Sequence, residues 1–317
     1  MSLQINKIKT TSIQLPFTVS NKEVPVIDEK KEFHEARNGR WSGTVVKKLM
    51  ACSSKGGKMS WADPEKITQF SKSIEKAMQR KTGKYIESGG TNEMKYGTRV
   101  EPLILAIGGE KIKSFFNEEI KIEEVKFKSF PDFPNAGATS DSVARNAKTN
   151  KVLATVEAKG CTNWSTHYKR TYELMDEKDM DFWQTQTQCK AWEVDNCYYL
   201  VAEPPKDITK YLYYDGDIMD LKNEFQEECA ISVQIVESSP FHQNAIMQRI
   251  IIAEKALNKW LELGGRVDDI FYNEIESVDL IDTIMIEEVD TVTRKPPPPI
   301  PPKARTIIEE LPEDLPF

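Results

Sequence analysis

Asn135-Ala136-Gly137-Ala138-Thr139-Ser140-Asp141 and Val152-Leu153-Ala154-Thr155-Val156-Glu157-Ala158-Lys159-Gly160 are the two stretches on which the reading of this chain turns. The runs at about 141–147 and 151–158 have the composition of strands and flank Lys148-Thr149-Asn150, which predicts a hairpin. A three-residue loop there sets Asp141 directly opposite Glu157, and Asn150 suits the left-handed position such a loop needs. Cross-strand partners lie about 4.5–5.5 Å apart at Cβ, and like charges there repel. A divalent cation bridging the carboxylates removes that repulsion. Lys159, two residues beyond Glu157, points to the same face. Two acidic side chains and a lysine around one point suit Mg²⁺-assisted phosphodiester hydrolysis. The metal activates water and neutralises transition-state charge, while the lysine steers water or stabilises charge. The plain alternative is a surface hairpin with three solvated charges. Against it, Val152 to Val156 reads as a buried strand that carries these charges to a core edge. Glu-x-Lys alone says nothing, since it recurs at Glu29/Lys31, Glu93/Lys95, Glu119/Lys121 and Glu124/Lys126.

Outward from this hairpin, helical spacing is read at about 33–52 (a helix and turn), 63–80 and 92–107. Pro64 falls at the first position of the second, where its missing N–H costs nothing. The third is expected to stop at Gly108-Gly109. Residues 122–130 alternate like a strand. Beyond the hairpin come a helix at about 179–193, a strand at 197–202 before Pro204-Pro205, a strand at 231–236, and a helix at about 241–263 ended by Gly264-Gly265. Helices, then strands, then helix, strand and helix predict a mixed α/β domain. The stretch from Lys295 on places eight prolines in residues 296–317, an extended tail without a packed core.

The 317 residues are 39% apolar and 29% charged, with three histidines, five cysteines and a net charge of −7. That length fits one large domain or two modest ones. The charge is uneven: residues 266–317 hold 13 Asp/Glu against 5 Lys/Arg, a net of −8, which leaves +1 on residues 1–265. A neutral body and an acidic end make the whole-chain charge uninformative about nucleic acid. The cysteines never approach CxxC spacing, which disfavours a zinc ribbon or an iron–sulfur cluster. Their scatter and odd number suit a cytoplasmic setting. Scarce histidine disfavours a His-rich zinc hydrolase, and no run reaches a membrane span of roughly 18 apolar residues.

Asp141…Glu157-Ala158-Lys159 resembles the PD-(D/E)xK nuclease motif, with Ser140-Asp141 replacing the usual Pro-Asp. More narrowly, residues 33–203 resemble the YqaJ-like viral recombinases, the phage lambda exonuclease family, on four separated blocks in the same order. Ala36-Arg37-Asn38-Gly39-Arg40-Trp41-Ser42-Gly43-Thr44 is similar to the family's R-x-G-x-[IV]-T-x-S, and the resemblance implies that Arg37 and Thr44 bind the 5′-phosphate of a DNA end. A guanidinium fork with a hydroxyl is a sound phosphate clamp; the plain reading is a surface arginine and a helix-capping threonine. Tyr96-Gly97-Thr98-Arg99-Val100-Glu101-Pro102 is like the family's G-x-x-x-E on a helix. Gly97 would let a backbone or ligand come close, and by resemblance Glu101 joins the metal site directly or through water.

In the third block the Ala158 carbonyl is implied as an extra metal ligand beside Asp141 and Glu157, and Asp132 is a weaker match to a further family acid. Phe182-Trp183-Gln184-Thr185-Gln186-Thr187-Gln188 resembles the Q-x-Q helix of these enzymes. Gln184 is the better match, its amide suited to the attacking water or a phosphate oxygen. Gln188, one turn on, shares its face, while Gln186 is read as a surface residue. Ser142 stands where the family usually has Gly, which puts the loop shape in doubt without losing a ligand. His167 and Tyr168 are read either as DNA contacts or as a packed or solvent-facing pair.

The resemblance implies a restriction-endonuclease-like PD-(D/E)xK core, a mixed central sheet flanked by helices. It further implies an Mg²⁺-dependent (Mn²⁺ substituting) 5′→3′ double-stranded DNA exonuclease of phage or prophage recombination, encoded within a bacterial host. Its products would be 3′ overhangs for a single-strand annealing protein, and its form a homo-oligomeric ring. The alternatives are an endonuclease on the same core and a non-catalytic DNA-end or replication-partner adaptor. The expected division is an N-terminal extension (1–32), the nuclease core (33–205), an α/β completion or helical appendage (206–294) and the Pro-rich acidic tail (295–317). Glu309 to Phe317 resembles the Pro-Phe tip of bacterial single-stranded-DNA-binding proteins. That likeness implies docking on replication and repair proteins through Phe317, against a plain reading as a solubilising acidic end.

Overall fold

The structure, a computed structural model, describes residues 29–50, 66–85, 90–172 and 179–262. The chain divides into Met1–Gly265 and Arg266–Phe317. The second unit, with Phe317 and the Pro-rich tail, lies outside the described residues, as does Pro64.

The large sheet has five strands: β2 (Ile120–Glu123), β5 (Ser142–Asn146), β6 (Val152–Gly160), β7 (Asn196–Ala202) and β8 (Ile231–Glu237), in that spatial order. Only β6 and β7 run parallel; the other neighbours are antiparallel. The sheet is therefore mixed, as expected. A smaller sheet sets β4 (Ala136–Ala138) between β1 (Trp41–Ser42), parallel, and β3 (Lys128–Ser129), antiparallel. The alternation read as one strand over 122–130 thus belongs to two strands in two sheets.

Strand β6 is buried on both sides, and its alternation assigns each side a helix. Ala154, Val156 and Ala158, with Tyr198, Leu200 and Ala202 of β7, form an apolar core with Tyr96, Val100, Leu103 and Ile104 of α4 (Asn92–Lys113). Thr155, Glu157 and Lys159 face the other way, toward α6 (Met180–Trp192).

Helix α4 does not stop at Gly108-Gly109 but continues to Lys113. A Cβ at Gly108 would lie 2.6 Å from Leu200 Cδ1, and one at Gly109 3.3 Å from Ile122 Cγ1. The glycines let the helix lie close on the sheet, and that packing outweighs their helix cost of about 1 kcal/mol each. Thr91 caps the start by accepting from Met94 N at 3.3 Å. Helix α6 begins and ends as its sequence predicts. Asp179 accepts from Asp181 N at 2.8 Å, and Glu193 closes the end in the left-handed region at φ 55°.

The stretch 33–52 is not one helix and turn. It forms α1 (Glu29–Arg37), β1 and α2 (Gly43–Leu49), because Gly39 turns the chain at φ 68° and Trp41 N donates to Asn135 O at 2.8 Å. Helix α3 (Lys66–Thr82) and α9 (Pro240–Glu262) pack together. Glu254 of α9 fastens this end: it accepts two bonds from Arg80, at 2.5 and 3.0 Å, and others from Trp41 Nε1 and Asn135 Nδ2. Helix α5 (Trp164–Tyr172) follows β6, while α7 (Ile208–Leu212), a 3-10 turn (Ile218–Leu221) and α8 (Lys222–Glu228) link β7 to β8. No helix among the described residues is long and apolar enough to cross a membrane.

Candidate active site

The hairpin register near the site is the expected one: Ser142 pairs with Val156, Val143 with Thr155 and Ala144 with Ala154. It slips only toward the turn, where Arg145 pairs with Val152. The slip lengthens the expected three-residue loop to residues 147–150, closed by Asn146 N to Lys151 O at 2.9 Å. Asn150 takes the left-handed conformation at φ 61°. Asp141 stands just before β5, and its Oδ2 accepts from Ala158 N at 2.8 Å. A strand residue sends its N–H and C=O to the same side, so the Ala158 carbonyl faces the edge where Asp141 replaces a strand partner.

Glu157 is 1% exposed. Its carboxylate accepts from Gln184 Nε2 at 2.5 Å, from Gln188 Nε2 and from Lys159 Nζ. Gln184 and Gln188 are one turn apart on α6, so one helix face supplies both amides. Gln188 also donates to Thr139 O at 3.2 Å. Lys47 of α2 donates to Gln184 Oε1 at 2.9 Å, which leaves the Gln184 amide N–H₂ aimed at Glu157.

The charges here are out of balance. Burial, then the Glu157 and Glu101 carboxylates, push Asp141 well above the usual carboxylate range. Burial and Glu157 raise Glu101 to about 7. Burial pulls the Lys159 ammonium down, but Glu157, Asp181 and Asp141 outweigh it and hold Lys159 above its ordinary value. Carboxylates crowded in this way are what a hard divalent cation relieves. Among the described residues, no three His, Cys, Asp or Glu side chains gather closely enough to hold a metal. The oxygens that could serve a cation here are the Asp141 and Glu157 carboxylates and the Ala158 carbonyl, with Glu101 coupled electrostatically to both acids. These oxygens fit a cation that keeps several waters.

The structure resembles the crystal structure of an alkaline exonuclease, LHK-Exo, from Laribacter hongkongensis. The identity is 18% over 79% of this chain and 99% of that chain, with a TM-score of 0.50. The fold is that of an alkaline exonuclease. LHK-Exo in complex with dAMP aligns with 18% identity over 80% and 99% of the two chains, TM-score 0.48. A phage-related exonuclease from Haemophilus somnus 129PT aligns with 15% identity over 70% and 95%, TM-score 0.47. No protein-family model and no curated protein matches the sequence.

Within this exonuclease fold the expected residues separate. Asp141, Glu157, Ala158, Lys159, Gln184 and Gln188 come together through the bonds above. Arg37 borders them: its Nε donates to Thr139 Oγ1 at 3.3 Å and its guanidinium lies 4.0 Å over the Phe33 ring. Burial lowers the Arg37 pKa, opposed by Tyr85, Asp141, Glu157 and Glu101. Thr44 is exposed on the first turn of α2, whose N-cap is Ser42, so it does not cap the helix. Asp132 is apart from the cluster, its side chain 63% exposed and 3.5 Å from Lys190 Nζ. A Cβ at Gly97 would meet nothing within 4 Å; the close approach is made by Gly160, whose Cβ would lie 2.8 Å from Val100 Cγ2. Gln186 is not at the surface. It is fully buried, donating to Glu237 O and accepting from Ser239 N, each at 2.8 Å.

Sequence reasoning missed Asp181. It is buried, accepts from Tyr199 OH at 2.8 Å and pairs with Lys47 at 3.0 Å and Arg170 at 3.5 Å. Burial opposes its ionisation, yet Lys159, Lys47 and Arg170 hold it well below the usual carboxylate range. The signal for it was the charge-free run from Phe182 to Cys189, which marks α6 as a buried helix and places the acid immediately before that run, Asp181, inside with it.

Proposed function

We propose that this chain is a divalent-metal-dependent DNA exonuclease on a PD-(D/E)xK core. It would act 5′→3′ on double-stranded ends and leave 3′ single-stranded overhangs for an annealing protein. The observation that carries the reading is the Glu157 carboxylate, buried beside Asp141 and held by Lys159, Gln184 and Gln188. A structural ion pair does not need two glutamine donors from one helix, whereas an acid that must keep one orientation does. Mg²⁺, with Mn²⁺ able to substitute, would be held by Asp141, Glu157 and the Ala158 carbonyl, with Glu101 reaching it directly or through water. When bound, it supplies charge neutralisation and activation of water.

The chain's own residues do the rest. Lys159 presents an ammonium that stays charged through neutral pH, suited to the charge developing on a scissile phosphate. Gln184 and Gln188 orient Glu157. Arg37, with Thr44, receives the terminal 5′-phosphate, where a planar guanidinium gives two-point recognition. Homo-oligomeric assembly and docking of the tail through Phe317 remain part of this proposal.

The test is digestion of matched duplexes with Mg²⁺ or Mn²⁺: linear with 5′-phosphate, linear without it, and covalently closed circular. Linear DNA is degraded, faster with the phosphate, and Arg37→Ala erases that preference. Cutting of the closed circle overturns the exonuclease reading in favour of an endonuclease. Intact linear DNA with either metal overturns catalysis and leaves a non-catalytic adaptor.

A further inference from the structure

Strand β6 runs from Lys159 through Gly160 into helix α5, and this helix has two unlike faces. The inner face holds buried His167, whose Nε2 is 3.2 Å from Thr171 Oγ1, and Arg170, whose Nε is 3.5 Å from Asp181 Oδ2. Asp181 acts electrostatically on Lys159, so Arg170 ties α5 to the site. The outer face carries Trp164, Tyr168 and Tyr172, which are 61%, 59% and 53% exposed. Their i, i+4, i+8 spacing makes one stripe. The same chain buries Trp41 and Trp183, so three large rings left in water on successive turns mark a binding face.

The rings are already organised. Tyr168 and Tyr172 have centroids 5.3 Å apart, and His167 stands edge-on to Trp164 at 5.4 Å and to Tyr172 at 6.3 Å. The charge of the helix selects the occupant. Its nine residues hold Lys169 and Arg170 besides His167, and no acid. With Arg170 committed to Asp181, exposed Lys169 is left to meet an anionic backbone.

We infer that the outer face of α5 is a stacking platform for the unpaired bases of a DNA strand beside the cluster of Glu157 and Lys159. Rings accept the π-face of any base while a cation follows the phosphates, which is how sequence-tolerant single-strand sites work. The inference rests on the reading of that cluster as a DNA nuclease, because it assigns the strand being separated to the helix next to it.

The test uses the full-length protein in EDTA, so that binding is read apart from cleavage. Fluorescence anisotropy measures affinity for a labelled oligothymidylate and for a blunt duplex of equal length. Trp164→Ala and Tyr168→Ala each lower the ratio of single-strand to duplex affinity by roughly 5- to 150-fold. Trp164→Phe keeps a ring to stack on and restores most of the ratio, while unchanged duplex affinity in the alanine variants separates the loss from a folding defect. Lys169→Ala reduces the logarithmic salt slope for oligothymidylate by about 0.7. An unchanged ratio in both alanine variants overturns the platform. If Trp164→Ala also changes the sedimenting mass while the ratio stays fixed, the face is instead a contact with a second copy. Wild-type protein that digests no DNA with Mg²⁺, yet loses the ratio on substitution, refutes the nuclease reading and leaves the platform standing. Digestion with an unchanged ratio does the reverse.

Discussion

Replacing Glu101 by Gln isolates the electrostatic cost of the candidate metal site. In the metal-free protein the Glu101 carboxyl rises from an ordinary 4.5 to about 7, first through burial and then through Glu157. A raised pKa means that the folded state binds the proton more tightly than the unfolded chain does. The stability this confers is complete below pH 4.5 and is lost as pH climbs through about 7. Each pH unit of that interval is worth about 1.4 kcal/mol, so ionised Glu101 costs at most about 3 kcal/mol at pH 8.5. A glutamine side chain is nearly isosteric with the glutamate and carries no charge. Glu101→Gln therefore removes the cost where it exists and changes little where Glu101 is already protonated. In EDTA at pH 8.5 the variant is more stable by about 1–3 kcal/mol, and at about pH 4.5 to 5 the two proteins nearly coincide. At roughly 2–4 °C per kcal/mol for a unit of this size, thermal melts resolve the difference. Adding Mg²⁺ at pH 8.5 reverses the order: the wild type gains more from the cation because it presents the additional carboxylate. Equal gains at both pH values, or a less stable variant at pH 8.5, would refute the claim that burial and Glu157 outweigh Lys159 and Arg37 at Glu101.

Gln188→Leu removes a buried donor to Glu157, so denaturant melts are expected to show about 1.5–3 kcal/mol of lost stability and steady-state cleavage a roughly 10- to 100-fold loss of rate; undiminished cleavage would make the amide purely structural. Asp181→Asn keeps an acceptor for Tyr199 but leaves Lys47 and Arg170 without their buried counter-charge, a destabilisation of about 3–5 kcal/mol measurable by denaturation at neutral pH. The wild-type contribution of Asp181 exists above the ordinary carboxylate range and disappears as acid titrates it, so the gap between the two proteins narrows toward low pH. Gly108→Ala sets a methyl group 2.6 Å from Leu200 Cδ1 and costs about 1–3 kcal/mol despite alanine's better helix propensity. Gly97→Ala meets no neighbour in the same helix and gains about 0.5–1 kcal/mol; melts in which both variants shift the same way would remove packing as the explanation.

The geometry of the candidate site was legible where a local pattern and a long-range consequence coincide. Asp141 and Glu157 were placed together from a hairpin whose register depends on alternation and on one left-handed residue, Asn150. The slip at Arg145 left that placement intact because it falls on the turn side. Both ends of α6 were readable because Asp179 and Glu193 act within their own turn. What escaped was set by encounters between distant segments. Gly108-Gly109 has the form of a helix stop, and only Leu200 and Ile122 lying above it turn it into a packing surface. Strand β1 is too short to show a period and exists because Trp41 finds Asn135 and β4.

Asp181 gives the most instructive case. An acid in the first turn of a helix is ordinarily explained by the helix dipole, and nothing local contradicts that. Its role follows from the two-sided burial of β6. One face of that strand is filled by α4 with hydrocarbon, while the other carries Glu157 and Lys159 and has to be filled by a helix able to satisfy both charges. Helix α6 meets this with Gln184 and Gln188 for Glu157, while Asp181 at its start adds to the field that keeps Lys159 charged. A helix with so little charge and so much buried amide is therefore a consequence of placing an acid and a lysine on the inner face of a central strand. That relation makes Phe182 to Cys189 the part of the sequence most tightly bound to the proposed chemistry, more so than the Glu-x-Lys pattern that recurs elsewhere in the chain without it.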